Sequence, residues 1–285
     1  MRPAGLALAA LLLAGPAGAG EAGWLPEALG SLRAEGPVRE LEPGGLYGYM
    51  DGGADSLLEL GFDRLWVRRY AAGGEAARDG LVVELYRMRD APAAQGLFWQ
   101  RGGRDAPGQR LWLQGRHVLV ATWTPGAARA ERGAGELAGL LAARLAGARP
   151  DPSLEALLAL LPAQGRLAGS TRVVRGPLGL EGFYSLGEGD VLLLRRPGAG
   201  ATGLLARYRD AAGRETTRLA LAYATPEAAR QALEHLTAHP DPYLETLERA
   251  DGRLVLGDGQ GTRIEATLQG ARLDLALEQV APPAP

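Results

Sequence analysis

The chain has 285 residues, 46% of them hydrophobic, a formal net charge of −2 and no cysteine. The nearly neutral charge implies neither nucleic acid nor an anionic membrane surface as a partner, and without cysteine neither disulfides nor thiol nucleophiles are possible. The apolar content is sufficient for one large hydrophobic core or two smaller ones.

The N-terminus has the pattern of a secretory signal peptide. Arg2 precedes an apolar run over 6–13, and the small residues Ala17 and Ala19 suit signal peptidase, so residues 1–19 are predicted to be removed. The run is too short to anchor a mature chain in a bilayer, and no later stretch is long and apolar enough to span one. We therefore expect an exported soluble protein of the bacterial periplasm or extracellular space. The alternative is an apolar N-terminal helix that stays in place.

A first α+β unit is predicted at 20–148. Apolar runs and helix-start signals alternate along it. Its predicted elements are a short helix over 24–32, a connector over 36–45, a helix over 54–60, strands at 65–70 and 81–88, a helix from Asp90 to about 101, a hairpin of strands 111–114 and 117–124, and a helix ending near 147.

A second unit is predicted at 171–280. A linker helix within 149–170, with Asp151 as its cap, precedes this unit, and a disordered tail at 281–285 follows it. The predicted elements of the second unit are strands at 191–195, 204–209 and 216–224, a helix capped by Thr225, and strands at 243–249, 253–256, 263–268 and 272–278.

The two units resemble each other. Residues 83–98 align with 219–233, and 108–123 align with 261–277; each pair contains a strand running into a Pro-started helix or a hairpin with a Gln-Gly corner. This predicts an internal repeat of β-β-α-β-β units with antiparallel sheets and helices on one face. The alternative is chance similarity between two stretches rich in Ala, Leu and Arg.

The most informative stretch is LYGYMDGGADSLLELGF at 46–62. Gly52 and Gly53 permit positive φ, so the backbone can turn sharply there or approach another group closely. Asp51 is predicted to cap a short helix that Gly61 ends.

Three carboxylates of this stretch have helical spacing. Asp51, Asp55 and Glu59 are four residues apart, so they are predicted to line one helix face. Oxygen ligands of this kind suit Ca²⁺, but one helix face supplies too few of them, and solvated carboxylates are the favoured interpretation.

The stretch 46–123 resembles a family of exported bacterial proteins classed as a domain of unknown function. That family carries Leu-Tyr-x-Tyr-Ile-Asn-Gly-Gly-Ala-Glu, then an aromatic-rich helix and Gly-Phe. The matching residues are Leu46, Tyr47, Tyr49, Gly52, Gly53, Ala54, Gly61 and Phe62, together with Tyr86, Met88 and most of 92–98. Leu57 and Leu60 stand where tyrosines are expected. The resemblance implies no activity, cofactor or catalytic residue.

Catalytic and metal signatures are weak. His235 and His239 are four residues apart, but they end a predicted helix, where a histidine also suits the helix dipole. No serine stands in Gly-x-Ser-x-Gly. The sequence therefore predicts no catalytic residue, no metal and no cofactor.

The sequence favours a non-enzymatic binding role at the Gly-Gly corner, with an unknown small ligand or an envelope protein as partner. A peptide, a glycan or a protein is the predicted class of ligand, and no nucleic acid is expected. The candidate ligand-binding residues are Tyr47, Tyr49, Asp51, Gly52, Gly53, Asp55, Glu59 and His117. One alternative is an envelope hydrolase or isomerase that uses these carboxylates with His117 or Tyr49. A structural envelope subunit is the other.

Overall fold

A computed structural model of the chain describes residues 20–72, 80–147, 149, 151–181, 183–196 and 200–279. Two antiparallel sheets of seven strands each, together with helices, form the α+β fold that the sequence predicts. The predicted signal peptide and the C-terminal tail lie outside the described residues. Within those ranges, no helix combines the length and apolar character that crossing a bilayer requires.

The first sheet has the order β1-β2-β4-β5-β7-β6, and β3 pairs with β4. Its strands are β1 (Ala28–Leu29), β2 (Leu32–Ala34), β3 (Arg39–Leu41), β4 (Phe62–Ala72), β5 (Leu81–Met88), β6 (Gln109–Gln114) and β7 (His117–Trp123). The helices α1 (Ala54–Leu60) and α2 (Ala91–Gln100) pack on one face, and α3 (Ala128–Arg144) packs on the other.

Strand β5 shows why both faces are covered. Its side chains alternate between the two faces of the sheet. Val83 and Leu85 belong to the core beneath α3, whereas Tyr86 and Met88 belong to the core beneath α1 and α2. The expectation that helices lie on one face of this sheet therefore differs from the structure, because a strand that is apolar on both sides requires a cover on each.

The second sheet has the order β11-β12-β13-β14-β10-β9-β8. Its strands are β8 (Arg172–Val174), β9 (Thr202–Arg209), β10 (Glu215–Ala222), β11 (Glu245–Ala250), β12 (Arg253–Gly257), β13 (Thr262–Gln269) and β14 (Arg272–Gln279). Helix α5 (Pro226–Ala238) packs on one face, and α4 (Pro152–Leu158) contacts β9 on the other.

The two sheets share part of their strand order. The order β4-β5-β7-β6 in the first sheet corresponds to β9-β10-β14-β13 in the second. The hairpin glycines Gly115 and Gly270 have similar positive φ, 56° and 60°. In the second sheet, however, β11 and β12 come between α5 and the corresponding hairpin, and the tandem repeat itself stays a prediction.

The helix caps confirm the sequence analysis. Asp90 accepts a hydrogen bond from the Ala93 amide at 2.9 Å and begins α2, and Thr225 begins α5 in the same way. Asp151 caps α4. All three caps are followed by proline in the first turn, a residue whose missing N–H is not needed there.

Two predicted elements are wrong. Residues 24–32 form the end of a 3₁₀ turn and the β1–β2 hairpin, not a helix. Gly30, at φ 53°, reverses the chain, and the Tyr70 hydroxyl donates a hydrogen bond to the Pro26 carbonyl at 2.8 Å. Residues 191–195 form turns and not a strand. There the Asp190 carboxylate accepts hydrogen bonds from two amides, 2.7 Å each, and bends the chain back on itself.

A shared core joins the two halves of the chain. Leu57 and Leu60 of α1 belong to the same buried cluster as Val173, Leu204 and Ala220. The helix that follows the Gly-Gly corner is therefore fixed between both sheets, and the corner lies at the exposed end of that helix.

Candidate functional site

The Gly-Gly corner is an exposed left-handed turn. Gly52 and Gly53 have φ of 89° and 77°, and a Cβ placed on either would meet nothing within 4 Å. Helix α1 starts directly after Gly53 and ends at Gly61, as predicted. The prediction that Asp51 caps α1 is wrong, because the left-handed Gly53 occupies the cap position and no side chain caps the helix.

The three carboxylates of the motif do not form one solvated helix face. Asp51 precedes the helix, and Asp55 is exposed on its first turn. The side chain of Glu59 is only 7% exposed, and it accepts hydrogen bonds from the Gly179 amide at 2.9 Å and from Arg195 at 2.6 Å. The predicted face of solvated carboxylates is therefore wrong, because Asp51 lies outside the helix and Glu59 is engaged by two groups from the second half of the chain.

The two tyrosines of the motif have separate partners. Tyr47 is exposed and donates a hydrogen bond to Asp55 at 2.6 Å. Tyr49 is half-buried and donates to Glu84 of β5, also at 2.6 Å. The guanidinium of Arg39 lies over the Tyr49 ring, 5.4 Å from its centroid. Burial and the Glu84 carboxylate both raise the pKa of Tyr49, so it is a neutral donor at pH 7.

A second tyrosine–charge pair lies on the same face of β5. Arg101 donates to the hydroxyl of Tyr86 at 3.2 Å, and its guanidinium is 5.9 Å from the centroid of that ring. Tyr86 is fully buried, and burial, followed by the charge of Glu84, raises its pKa. Because Glu84 and Tyr86 are two residues apart on one strand, the pairs Tyr49–Glu84 and Tyr86–Arg101 are neighbours.

A cleft of about 280 Å³ opens beside the Gly-Gly corner. One side is the corner and α1, and the other is the C-terminal end of α2. Its lining combines apolar and polar groups: Met50, Gly52, Gly53, Ser56, Leu57, Leu97, Gln100 and Arg101. We call this space the corner cleft. Arg101 connects it to the tyrosine pairs of β5.

His117 lies away from the corner cleft. It begins β7 on the face covered by α3, where its ring is 5.0 Å from that of Trp24 and its Nε2 is 3.4 Å from Glu21. Burial lowers the pKa of His117, and Glu21 opposes that shift. The prediction that His117 joins the Gly-Gly corner is wrong, because odd and even positions of a strand face opposite sides of the sheet.

Among the described residues, no three His, Asp or Glu side chains come together in an arrangement that could hold a metal ion. The Nδ1 of His235 instead lies 3.0 Å from the carbonyl oxygen of Val191, and its ring is tilted against that of His239, with 4.4 Å between the ring centroids.

Three residues of the site do not stand out in the sequence analysis: Glu84, Gln100 and Arg101. Glu84 is the one carboxylate in the apolar strand LVVELYRM, and that exception is a usable signal, since a charge within such a strand requires a partner. Gln100 and Arg101 end a helix in an ordinary way, and only the fold brings them to the Gly-Gly corner.

No protein-family model, curated protein or solved structure is significantly similar to the chain. The family resemblance of 46–123 therefore stays a prediction.

Proposed function

We propose that this chain is an exported protein that binds a peptide, a glycan or a protein partner in the corner cleft. The observation that carries the proposal is the open cleft of about 280 Å³ beside two exposed left-handed glycines. An apolar wall with a few polar groups is the usual composition of a ligand site. The signal-peptide pattern at 1–19 supports export.

The contacts that anchor the walls of the corner cleft also support binding. Tyr47 and Tyr49 tie the segment before the corner to α1 and to β5, and Leu57 anchors α1 in the core shared by both sheets. A ligand would therefore meet a pre-organised surface, which lowers the entropic cost of binding.

Binding is favoured over catalysis because the candidate acids and bases are dispersed. Glu59 is held by Arg195 and the Gly179 amide, and His117 faces the opposite side of the first sheet. A general acid and base must both reach one substrate, and these two groups do not converge on the corner cleft. A purely structural subunit is disfavoured because the corner is exposed and not packed.

A cleft-filling substitution tests the proposal. Ser56→Trp places an indole in the corner cleft, and Ala143→Trp, on the exposed surface of α3, is the matched control. Peptides, oligosaccharides and an envelope extract are screened for ligands that raise the melting temperature. We expect ligands that stabilise the wild type and Ala143→Trp but not Ser56→Trp. Ligands that stabilise all three proteins equally would contradict the proposal.

A further inference from the structure

We infer that the ligand of the corner cleft carries a carboxylate that Arg101 binds, with a small apolar group beside it. The inference rests on the proposed function and names the chemistry of its ligand. A free small acid and the C-terminal residue of a peptide share this chemistry.

The partners of Arg101 motivate the inference. Its guanidinium has five N–H donors and is always charged. The contact with Tyr86, at 3.2 Å, is to a neutral hydroxyl whose pKa is raised. Within the part of the chain that the structure describes, no carboxylate lies within 4 Å of this guanidinium. A half-buried cation next to a cleft therefore retains donors for an anion.

The acidic side chains near the corner cleft lie outside its described lining. No Asp or Glu belongs to the described lining of the corner cleft. The carboxylates of Asp55 and Glu84 already accept hydrogen bonds from Tyr47 and Tyr49, at 2.6 Å each. An Arg–carboxylate pair is often bidentate and is stronger than a neutral hydrogen bond, so a carboxylate ligand fits Arg101 better than a hydroxyl does.

The remaining residues of the lining determine the rest of the ligand. Met50, Leu57 and Leu97 are the large apolar residues of the lining, and Ser56 and Gln100 add polar groups beside them. The volume of about 280 Å³ lies just below the range of about 300–1,000 Å³ for sites that bury drug-sized ligands. The corner cleft is thus suited to one branched aliphatic group, the size of a single residue, with its carboxylate on Arg101.

Matched acids and amides test the inference. The probes are isovalerate against isovaleramide, and N-acetyl-Ala-Leu as free acid against its C-terminal amide. NMR of the arginine Nε–H signals and of backbone amides at 50–57 reports the site directly. We expect the acids to shift the Arg101 signal and the amides at the corner, and the neutral partners to bind about tenfold more weakly or not at all. Binding of isovalerate but not of the dipeptide acid would identify a free small acid as the ligand. Binding of the dipeptide acid but not of isovalerate would identify the C-terminus of a peptide.

Substitutions provide the control. Arg101→Gln should lower the affinity for both acids about tenfold, whereas Arg132→Gln, on the exposed face of α3, should leave that affinity unchanged. If Arg101→Gln does not fold, Arg101→Lys retains the charge but loses bidentate geometry and should still bind more weakly.

Three results would overturn the inference. The first is equal binding of acid and amide; if Ser56→Trp then abolishes that binding, the proposed function survives and only the carboxylate is lost. The second is acid binding that Arg101→Gln leaves intact. The third is the absence of binding by either acid, and if the wider panel also fails, the proposed function is lost with it.

Discussion

Tyr49 Oη donates a hydrogen bond to Glu84 Oε1 at 2.6 Å across 35 positions of sequence. The bond joins the segment before the Gly-Gly corner to the central strand β5. Because the pKa of Tyr49 is raised by burial and by Glu84, the donor keeps its proton at neutral pH. The position of the corner relative to the first sheet therefore depends on this contact.

Tyr49→Phe removes the donor and leaves Glu84 half-buried without it. A hydrogen bond to a charged group contributes about 1.5–3 kcal/mol, so we expect the free energy of unfolding to fall by about 2 kcal/mol. Urea unfolding at pH 7, followed by tryptophan fluorescence, measures the change.

Tyr47→Phe is the matched control, since Tyr47 makes a hydrogen bond of the same length to Asp55 in an exposed position. We expect a distinctly smaller loss, because water replaces an exposed hydrogen bond. Equal losses for the two variants would show that the Tyr49–Glu84 contact does not fix the corner.

Glu59 is expected to matter for folding and not for binding. Glu59→Gln keeps the shape of the side chain but removes the charge that Arg195 and the Gly179 amide share. Because Arg195 is itself largely exposed, solvent screens part of the loss, and we expect about 1–2 kcal/mol in urea unfolding.

Asp55→Asn, on the exposed side of the same helix, should leave the urea midpoint nearly unchanged. Binding of isovalerate by folded Glu59→Gln should match that of the wild type. A variant that folds normally but loses the ligand would return Glu59 to the binding residues.

Local signals in the sequence predict local structure well. Asp90, Asp151 and Thr225 are correctly identified as caps because a capping side chain reaches only its own first turn. The same rule fails at Asp51, since it ignores the backbone conformation that two successive glycines adopt.

Partners that are distant in sequence explain the remaining differences. The apolar run at 191–195 has the composition of a strand, yet a single carboxylate, Asp190, folds it into turns. The site is the extreme case: Glu84 and Arg101 reach the Gly-Gly corner only through sheet pairing and helix packing. Spacing within one segment carries no information about such contacts, which explains why the Tyr49 position is predicted and its partner is not.

Alanine substitutions at Gly96 and Gly139 are expected to change the free energy of unfolding in opposite directions. A Cβ on Gly96 of α2 would lie 2.8 Å from Leu60 Cδ1 and 3.0 Å from Val173 Cβ, whereas a Cβ on Gly139 of α3 would meet nothing within 4 Å. Gly96→Ala should therefore destabilise the protein by about 1 kcal/mol or more through overpacking. Gly139→Ala should stabilise it by about 0.5–1 kcal/mol, because alanine favours the helix.

Thermal or urea unfolding of both variants measures the two changes in stability. Stabilisation by Gly96→Ala would mean that α2 does not approach α1 and β8 as closely as the structure has it. The contact is informative because it lies where the core joins the two sheets.

The burial of His117 predicts acid sensitivity in a defined range. Its pKa is lowered by burial below the ordinary value of 6.5, so the unfolded chain takes up a proton at a higher pH than the folded protein does. The contribution of His117 to stability is therefore complete above about pH 6.5 and is lost as the pH falls from there toward the folded pKa. The loss cannot exceed about 1.4 kcal/mol per pH unit for one proton.

Urea unfolding between pH 7.5 and 5 should show this slope, and His117→Gln should reduce it even if that variant is less stable at pH 7.5. Glu21→Gln supplies a control of opposite sign. Glu21 raises the pKa of His117 against the effect of burial, so its removal should lower that pKa further and extend the loss to lower pH. NMR titration of the His117 imidazole in both proteins measures the pKa directly. An unchanged slope in His117→Gln would mean that the proton uptake on unfolding belongs to groups other than His117.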